Sequence, residues 1–197
     1  MEGFEVPLRL CASTTHEPRG TMDPDALFEP STNPDNTARW SPLIEGVLVT
    51  ASGAPGRPRF ARWLEAGVTD VVTLQRDDER PDWLPDACAQ EGVSWRAFPL
   101  SGKRLEHPDD VPHLRELMAW ADALCAQPGG ARRVVLHCSA GLHRTGIGLY
   151  LMMRRAGHAP DEAVARVARA RPLTASELTR HTRRSGRLIE RVEPLLT

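Results

Sequence analysis

The residues of this chain with the clearest chemical potential are a cysteine and an arginine six positions apart, Cys138 and Arg144. A thiolate is a strong nucleophile, and a guanidinium can hold two oxygens of a tetrahedral anion in a fork that lysine cannot form. The pair alone is weak evidence, since about one chain in two of this composition would contain it by chance. With His137, Gly141 and Thr145 also in place, the chance expectation falls to the order of 10⁻⁴. The five residues together indicate nucleophilic chemistry on an anionic substrate.

The sequence around these residues predicts a strand, a tight loop and the start of a helix. Residues 134–136 are apolar and mostly β-branched, and residues 147–153 are apolar on nearly all sides, as in a buried helix. A loop at a helix N-terminus turns several backbone N–H groups inward and forms a nest for an oxyanion. Gly141 allows the tight turn. The same field lowers the pKa of Cys138, so that its thiolate is available near neutral pH.

Each position of the loop has a predicted role. Cys138 is the nucleophile, and Arg144 holds the anion. Thr145 can hydrogen-bond the sulfur and ease its departure, whereas His137 braces the loop from behind rather than acting as a base. The predicted substrate-binding residues are Ser139, Ala140, Gly141, Leu142, His143 and Arg144.

The segment HCSAGLHRTG at residues 137–146 resembles the signature loop of the cysteine-dependent protein tyrosine phosphatases. The small size of the chain is similar to the dual-specificity branch. The HRTG ending also resembles the atypical plant and fungal members, whose loop runs HCxxGKHRTG, although Leu142 stands where they carry lysine. The resemblance implies a phosphocysteine intermediate on Cys138, oxyanion binding by Arg144 and the loop amides, and neither a metal nor another cofactor.

The resemblance also implies an aspartate that acts as general acid from a mobile loop about thirty residues before the cysteine. Residues 99–110 lie in that place, and their acids are Glu106, Asp109 and Asp110. We expect Asp109 to be the acid, with Asp110 as second choice, and counting along the chain keeps Glu106 as a candidate. Asp109 and Asp110 also follow a proline at a predicted helix start, where carboxylates are favourable without any catalytic role.

Three functions fit these residues. The leading prediction is a phosphomonoester hydrolase that acts on phosphotyrosine in proteins, with phosphoserine and phosphothreonine as a wider range. An inositol phosphate or phosphoinositide phosphatase is the first alternative: Lys103, Arg104 and His143 would supply charge, but Leu142 in place of lysine counts against it. A phosphate-binding module with weak turnover is the second alternative, because none of the candidate acids sits in a recognisable motif.

The composition narrows the class of protein. A chain of 197 residues with 41% hydrophobic residues suits one domain, and a net charge of −1 provides no basic field for nucleic acid. We find no apolar run of membrane-spanning length and no signal-peptide pattern. Four cysteines without a Cys-x-x-Cys argue against a zinc site or a disulfide framework, so we expect a cytoplasmic protein.

The expected partner is a phosphorylated protein or a small phosphate ester, with no nucleic acid and no membrane span. Cys88 and Cys125 have the surroundings of core residues. A regulatory disulfide between one of them and Cys138 stays an alternative, since the sequence gives no distance.

The alternation of helices and strands predicts a single α/β domain at residues 40–197, of protein tyrosine phosphatase type. We expect a central mixed or mostly parallel sheet of about four to five strands with helices on both faces. The predicted strands are 46–50, 68–74, 93–98 and 133–137, and the predicted helices are 59–66, 82–90, 114–125, 160–170 and one that follows Arg144 and ends at Gly157. Thr174 and Glu177 form a predicted capping box for a last helix that reaches Val192. Residues 1–39 are expected to be an irregular arm, with a short edge strand at 4–10.

Overall fold

A five-stranded mixed sheet runs through the centre of the computed structural model, which describes residues 38–102, 109–126, 130–180 and 187–196. The strand order is β1-β2-β5-β3-β4. Strand β1 is antiparallel to β2, whereas β2, β5, β3 and β4 run parallel to one another. The strands are β1 (Ser41–Ile44), β2 (Val47–Ser52), β3 (Asp70–Thr73), β4 (Ser94–Ala97) and β5 (Arg132–His137). The predicted α/β class and the predicted kind of sheet are confirmed.

Helices cover both faces of this sheet. They are α1 (Arg57–Glu65), α2 (Leu84–Gln90), α3 (Asp110–Ala126), α4 (His143–Arg155), α5 (Pro160–Ala170), α6 (Pro172–Thr179) and α7 (Leu188–Val192), followed by a 3₁₀ turn at Glu193–Leu196. The core residues of α1 and α2 pack with Val135 on one face, and those of α3 to α7 pack with Val134 and Leu136 on the other. This division follows from the alternation of side chains along β5.

The helices and strands predicted between residues 46 and 170 are present, with ends that differ by a few residues, and one strand was not predicted. That strand is β1, which contains Pro42 and lies at an edge of the sheet. Proline has no N–H to donate, so it is tolerated only where a strand is unpaired on one side. The pairing with β2 shifts register between Pro42 and Ile44. Because the strand is short and contains a proline, its sequence shows no strand pattern of hydrophobic residues.

The last predicted helix was wrong in its start and its length. Helix α6 begins at Pro172 and ends at Thr179, and Arg180 is extended with ψ 121°. Thr174 therefore lies inside the helix rather than before it, and its hydroxyl does not cap α6. The polar side chains that suggested a capping box are used in contacts with another loop, described below.

The beginning of the described chain is already attached to the domain. Ala38 and Trp40 are buried, and the N–H of Arg39 donates to the carbonyl of Ala170 at 2.8 Å. The rest of the predicted arm, with its expected edge strand at 4–10, lies outside the described residues. In the parts of the chain that the structure describes, no helix is both long and apolar enough to cross a bilayer.

Candidate active site

The loop that carries Cys138 and Arg144, residues 138–144, is called here the signature loop, and it follows the central strand of the sheet. In register with His137, at the end of β5, lie Ser52 of β2 and Thr73 of β3. Parallel strands bring their carboxyl ends to one edge, so segments that follow neighbouring strands meet around the loop. Leu142 precedes α4 and makes no side-chain capping bond. The first N–H groups of α4 therefore have no side-chain cap and suit an anion.

Cys138 is buried, with 4% of its surface exposed. Burial alone would raise the pKa of its thiol, but the Thr145 hydroxyl, the N–H groups of Thr145 and Gly141 and the charge of Arg144 outweigh that effect and lower the pKa. The Thr145 hydroxyl is itself buried and has no well-formed hydrogen bond to another group among the described residues. It is therefore available to the sulfur, and its role in easing the departure of the sulfur stays a prediction.

Gly141 makes the sharp turn of the loop. Its φ is +71°, in the left-handed region that side chains disfavour. A Cβ at this position would collide with the carbonyl of Ser52 and with Nη1 of Arg171. Both the backbone conformation and the lack of space therefore require glycine, as the sequence predicted.

Arg144 is 8% exposed and is held by a carboxylate that sequence reasoning missed. Both of its terminal nitrogens donate to Glu79: Nη1 to Oε2, and Nη2 to Oε1 at 3.3 Å. Nη1 also donates to the Leu100 carbonyl at 3.1 Å, and Nη2 to Oγ of Ser139 at 3.0 Å. The bonds from Arg144 lower the pKa of Glu79, although burial opposes them. These contacts fix the plane of the guanidinium beside Cys138.

Gln75 ties Glu79 and the signature loop together. Its Nε2 donates to the Glu79 carbonyl at 2.8 Å and to Oγ of Ser139 at 3.3 Å. Both Gln75 and Glu79 lie in the segment after β3, the parallel neighbour of β5. Their position at the carboxyl end of a predicted strand was a signal that the sequence offered, but that signal did not indicate which polar residue of the segment would face Arg144.

His137 is fully buried beneath the loop. Its Nε2 lies 2.8 Å from Oγ1 of Thr73, which accepts from Nε1 of Trp95 at 3.0 Å. The hydroxyl of Thr73 thus links the ring of His137 to the indole of Trp95. Burial, aided by the charge of Arg144, lowers the pKa of His137 to about 3. The ring is therefore neutral at physiological pH and enclosed, and its role in bracing the loop stays a prediction.

His143 is attached to α6 rather than pointing freely into solvent. Its Nε2 lies 3.0 Å from Oε2 of Glu177, and Oε1 of Glu177 pairs with Arg180 at 3.1 Å. The hydroxyl of Thr174 donates to the carbonyl of Gly141 at 2.7 Å. Thr174 and Glu177, expected to cap a helix, thus hold two positions of the signature loop.

The candidate acids differ in their surroundings. The carboxylate of Asp110 is buried and accepts from the N–H and the hydroxyl of Ser101, each at 2.7 Å. Asp109 is exposed, next to the start of α3. Glu106, Lys103 and Arg104 lie outside the described residues.

The other described cysteines, Cys88 and Cys125, have surroundings that raise the pKa of the thiol instead of lowering it. Burial raises the pKa of Cys88 to about 11, and burial and Asp122 raise the pKa of Cys125. All three are free thiols. Cys88 packs on the face of the sheet that carries α1 and α2, whereas Cys138 belongs to the core of the other face. Among the described residues, no group of three or more His, Cys, Asp or Glu could hold a metal ion.

Comparison with known proteins shows the fold. No family model and no curated protein matches the sequence. The structure is similar to Tk-PTP in a glycine-to-alanine mutant form, with a TM-score of 0.57 and 22% identity over 80% of this chain and 93% of that one. It is also similar to the kinase associated phosphatase KAP with its catalytic-site cysteine replaced by serine (TM-score 0.54, 15% identity, 79% and 89% covered). A third similar structure is PTPMT1 in complex with PI(5)P (0.50, 17%, 68% and 84%).

These structures bear out the predicted resemblance at the level of the fold. The chain has the α/β architecture of the cysteine-dependent phosphatases of the dual-specificity branch.

Proposed function

We propose that this protein is a phosphomonoester hydrolase that works through a phosphocysteine intermediate on Cys138. The observation that carries the proposal is a buried thiol with a lowered pKa, close to the charge of Arg144 and to the N–H groups of Gly141 and Thr145, at the start of α4. A thiolate alone would indicate only a reactive cysteine. The guanidinium and the N–H groups beside it match the charge and shape of a phosphoryl group.

In the proposed reaction, the Cys138 sulfur attacks phosphorus and forms an S–P bond while the bond to the leaving oxygen breaks. Arg144 and the N–H groups of the signature loop hold the oxygens on which charge increases. Water then cleaves the S–P bond, and inorganic phosphate and the thiolate are released. Thr145 donates to the sulfur as it departs and so favours this second step.

The leaving oxygen needs a proton, and we keep Asp109 as the proposed general acid. Asp110 is engaged with the N–H and the hydroxyl of Ser101, so its carboxylate has a structural use at the start of α3. Glu106 remains the competing residue of the same loop. Change of the true acid to its amide should lower turnover of an alkyl phosphate by roughly 10²–10⁴-fold and should affect an aryl phosphate with an acidic leaving group far less.

The proposed substrate is phosphotyrosine in proteins, with phosphoserine and phosphothreonine as a wider range. An inositol phosphate or phosphoinositide is the second candidate, and the observation in its favour is the similarity to PTPMT1, whose structure was solved with PI(5)P bound. Turnover measured side by side on phosphotyrosine peptides, phosphoserine peptides and phosphoinositides decides between them. A preference of at least tenfold for the lipid would overturn the protein substrate.

Two variants test the mechanism itself. Cys138→Ser should abolish turnover and still bind inorganic phosphate, because a serine without a nearby base gives almost no alkoxide. Arg144→Lys should also fail, since a point charge cannot replace the planar fork. Appreciable activity in Cys138→Ser would show that Cys138 is not the nucleophile, and phosphate binding without any turnover in the wild type would favour a binding module.

A further inference from the structure

A second arginine lies against the backbone of the signature loop. Arg171 sits between α5 and α6, is 8% exposed, and takes no part in the proposed reaction. Its Nη1 donates to the carbonyls of Ala140 and Gly141, both at 3.0 Å. The hydroxyl of Thr174 adds a second donor to the Gly141 carbonyl. Two consecutive carbonyls of the loop are therefore held from outside by groups of the α5–α6 junction.

Holding these carbonyls determines where the neighbouring N–H groups point. In a trans peptide unit the C=O and the N–H point in opposite directions. The carbonyl of Ala140 belongs to the same peptide unit as the N–H of Gly141, and that N–H is one of the donors that lower the pKa of Cys138. Arg171 therefore binds one end of the peptide unit whose other end faces the sulfur.

The charge of Arg171 reaches the thiol as well. The negative charge of Cys138 raises the pKa of Arg171, against the stronger lowering by burial and by the nearby Arg59. Because an interaction between two charges acts equally on both, the guanidinium favours the thiolate. A charged donor also polarises the peptide unit and strengthens the hydrogen bond made by its far end.

We propose that Arg171 is a positioning residue for the nucleophile, acting through the Ala140–Gly141 peptide unit to keep the N–H groups of the signature loop turned toward the anion and Cys138 ionised. The inference rests on the proposed function, in which Cys138 is the nucleophile. Its test, however, needs no turnover, because ionisation of a thiol and binding of phosphate can both be measured in a protein that hydrolyses nothing.

The experiment measures the rate at which iodoacetamide alkylates Cys138 as a function of pH, with the modified residue identified by mass spectrometry. Arg171→Met is compared with Arg171→Lys, which keeps a charged donor, and with Arg169→Met, a matched control at an exposed position of α5. We expect Arg171→Met to raise the apparent pKa of Cys138 by about one unit and to weaken binding of inorganic phosphate roughly tenfold. Arg171→Lys should recover most of both losses, and Arg169→Met should match the wild type.

A folded Arg171→Met variant with the wild-type pKa of Cys138 and wild-type phosphate affinity would overturn the proposal. Thermal unfolding establishes which variants are folded. If Arg171→Met is not, Arg171→Gln, which keeps an N–H donor without the charge, is judged by the same criterion. Failure of the proposed function gives a different result, in which the wild type shows an ionised thiol and bound phosphate but no hydrolysis of any ester.

Discussion

Glu79 is the single residue on which the orientation of Arg144 depends most. It accepts from both terminal nitrogens of the guanidinium, and its own position is set by the N–H of Arg76, which donates to Oε2 at 3.1 Å. Bidentate pairing fixes a plane as well as a distance. The plane of the guanidinium that would meet a phosphoryl group is therefore set before the substrate arrives.

We predict that Glu79→Gln lowers kcat by roughly 10- to 100-fold. A loss of this size is expected when a catalytic group, here the guanidinium of Arg144, is misplaced by about 1 Å or less. The amide can accept one bond from Arg144 but presents an N–H where the second acceptor was. Asp78→Asn is the matched control, because Asp78 is an exposed carboxylate of the same segment and pairs with Arg76 rather than with Arg144. Steady-state kinetics on an aryl phosphate make the comparison. Equal rates in both variants would show that Glu79 does not position Arg144.

His137 predicts how stability depends on pH. Its pKa in the folded protein is about 3, below the ordinary value of 6.5, so the unfolded chain takes up the proton first as pH falls. The stabilising effect is complete above about pH 6.5 and is lost progressively toward pH 3. When the pH is lowered from 7 to 5, the free energy of unfolding measured by urea denaturation should fall by about 2 kcal/mol more in the wild type than in His137→Asn. Parallel losses in the two proteins would mean that the ring is charged in the folded state.

At the scale of elements, α4 must approach the sheet closely to bring Arg144 beside Cys138. The contact is made at Gly148, where a Cβ would lie 3.1 Å from Leu74, 3.2 Å from Leu136 and 3.3 Å from Leu117. These distances are shorter than ordinary van der Waals contacts. A larger residue would push the helix away from β5.

Gly148→Val should therefore destabilise the protein by about 1–3 kcal/mol, as overpacking of a core does. Ala165→Val places the same side chain at an exposed position of α5 and should change stability far less. Denaturant midpoints of the two variants give the comparison. If both shift equally, the effect belongs to the helix propensity of valine and the close packing of α4 is not limiting.

The elements that the sequence predicted well are those with a strong apolar pattern on a buried face. Leu114, Leu117 and Leu124 predicted α3, and the apolar run before Cys138 predicted β5, because burial on one or both faces leaves a periodic trace. Strand β1 has four residues with a proline among them and gave no such trace. The break after Thr179 also left no local signal, since residues 180–185 contain no glycine or proline that would mark a helix end.

The residues of the site also fall into those that the sequence predicted and those that it did not. Cys138, Gly141 and Arg144 were found because they are close in sequence and because each is required by its own chemistry. Glu79 and Arg171 were missed because they act through contacts between distant segments. A single sequence contains no distance between such segments, and a chain with 24 arginines offers many candidates for each role.

At the scale of the whole molecule, a buried tyrosine connects α4 to the end of the described chain. Tyr150 has no exposed surface, and its hydroxyl donates to Oε1 of Glu193, which also accepts from Nε of Arg154 at 3.0 Å. Burial and the bond to Glu193 raise the pKa of Tyr150. The 3₁₀ turn at Glu193–Leu196 is thereby attached to the helix that carries Arg144.

We predict that Glu193→Ala destabilises the protein by about 1–3 kcal/mol, because it leaves a buried hydroxyl without its acceptor. Adding Tyr150→Phe should restore part of that loss, since the group that lacks a partner is then removed. Glu65→Ala, which changes an exposed carboxylate of α1, is the control. A double variant no more stable than Glu193→Ala would show that the hydroxyl and the carboxylate are not coupled.

The hydrogen bonds from Arg171 and Thr174 to the signature loop have a consequence for fragments of this chain. A premature stop or a protease cut between α5 and α6 would leave every letter of the motif at residues 137–146 in place. It would remove Arg171 and Thr174, the donors that turn two of its peptide units. We expect Cys138 in such a fragment to have the pKa of an unperturbed thiol. A truncated gene product that still matches the motif would therefore not hydrolyse phosphate esters.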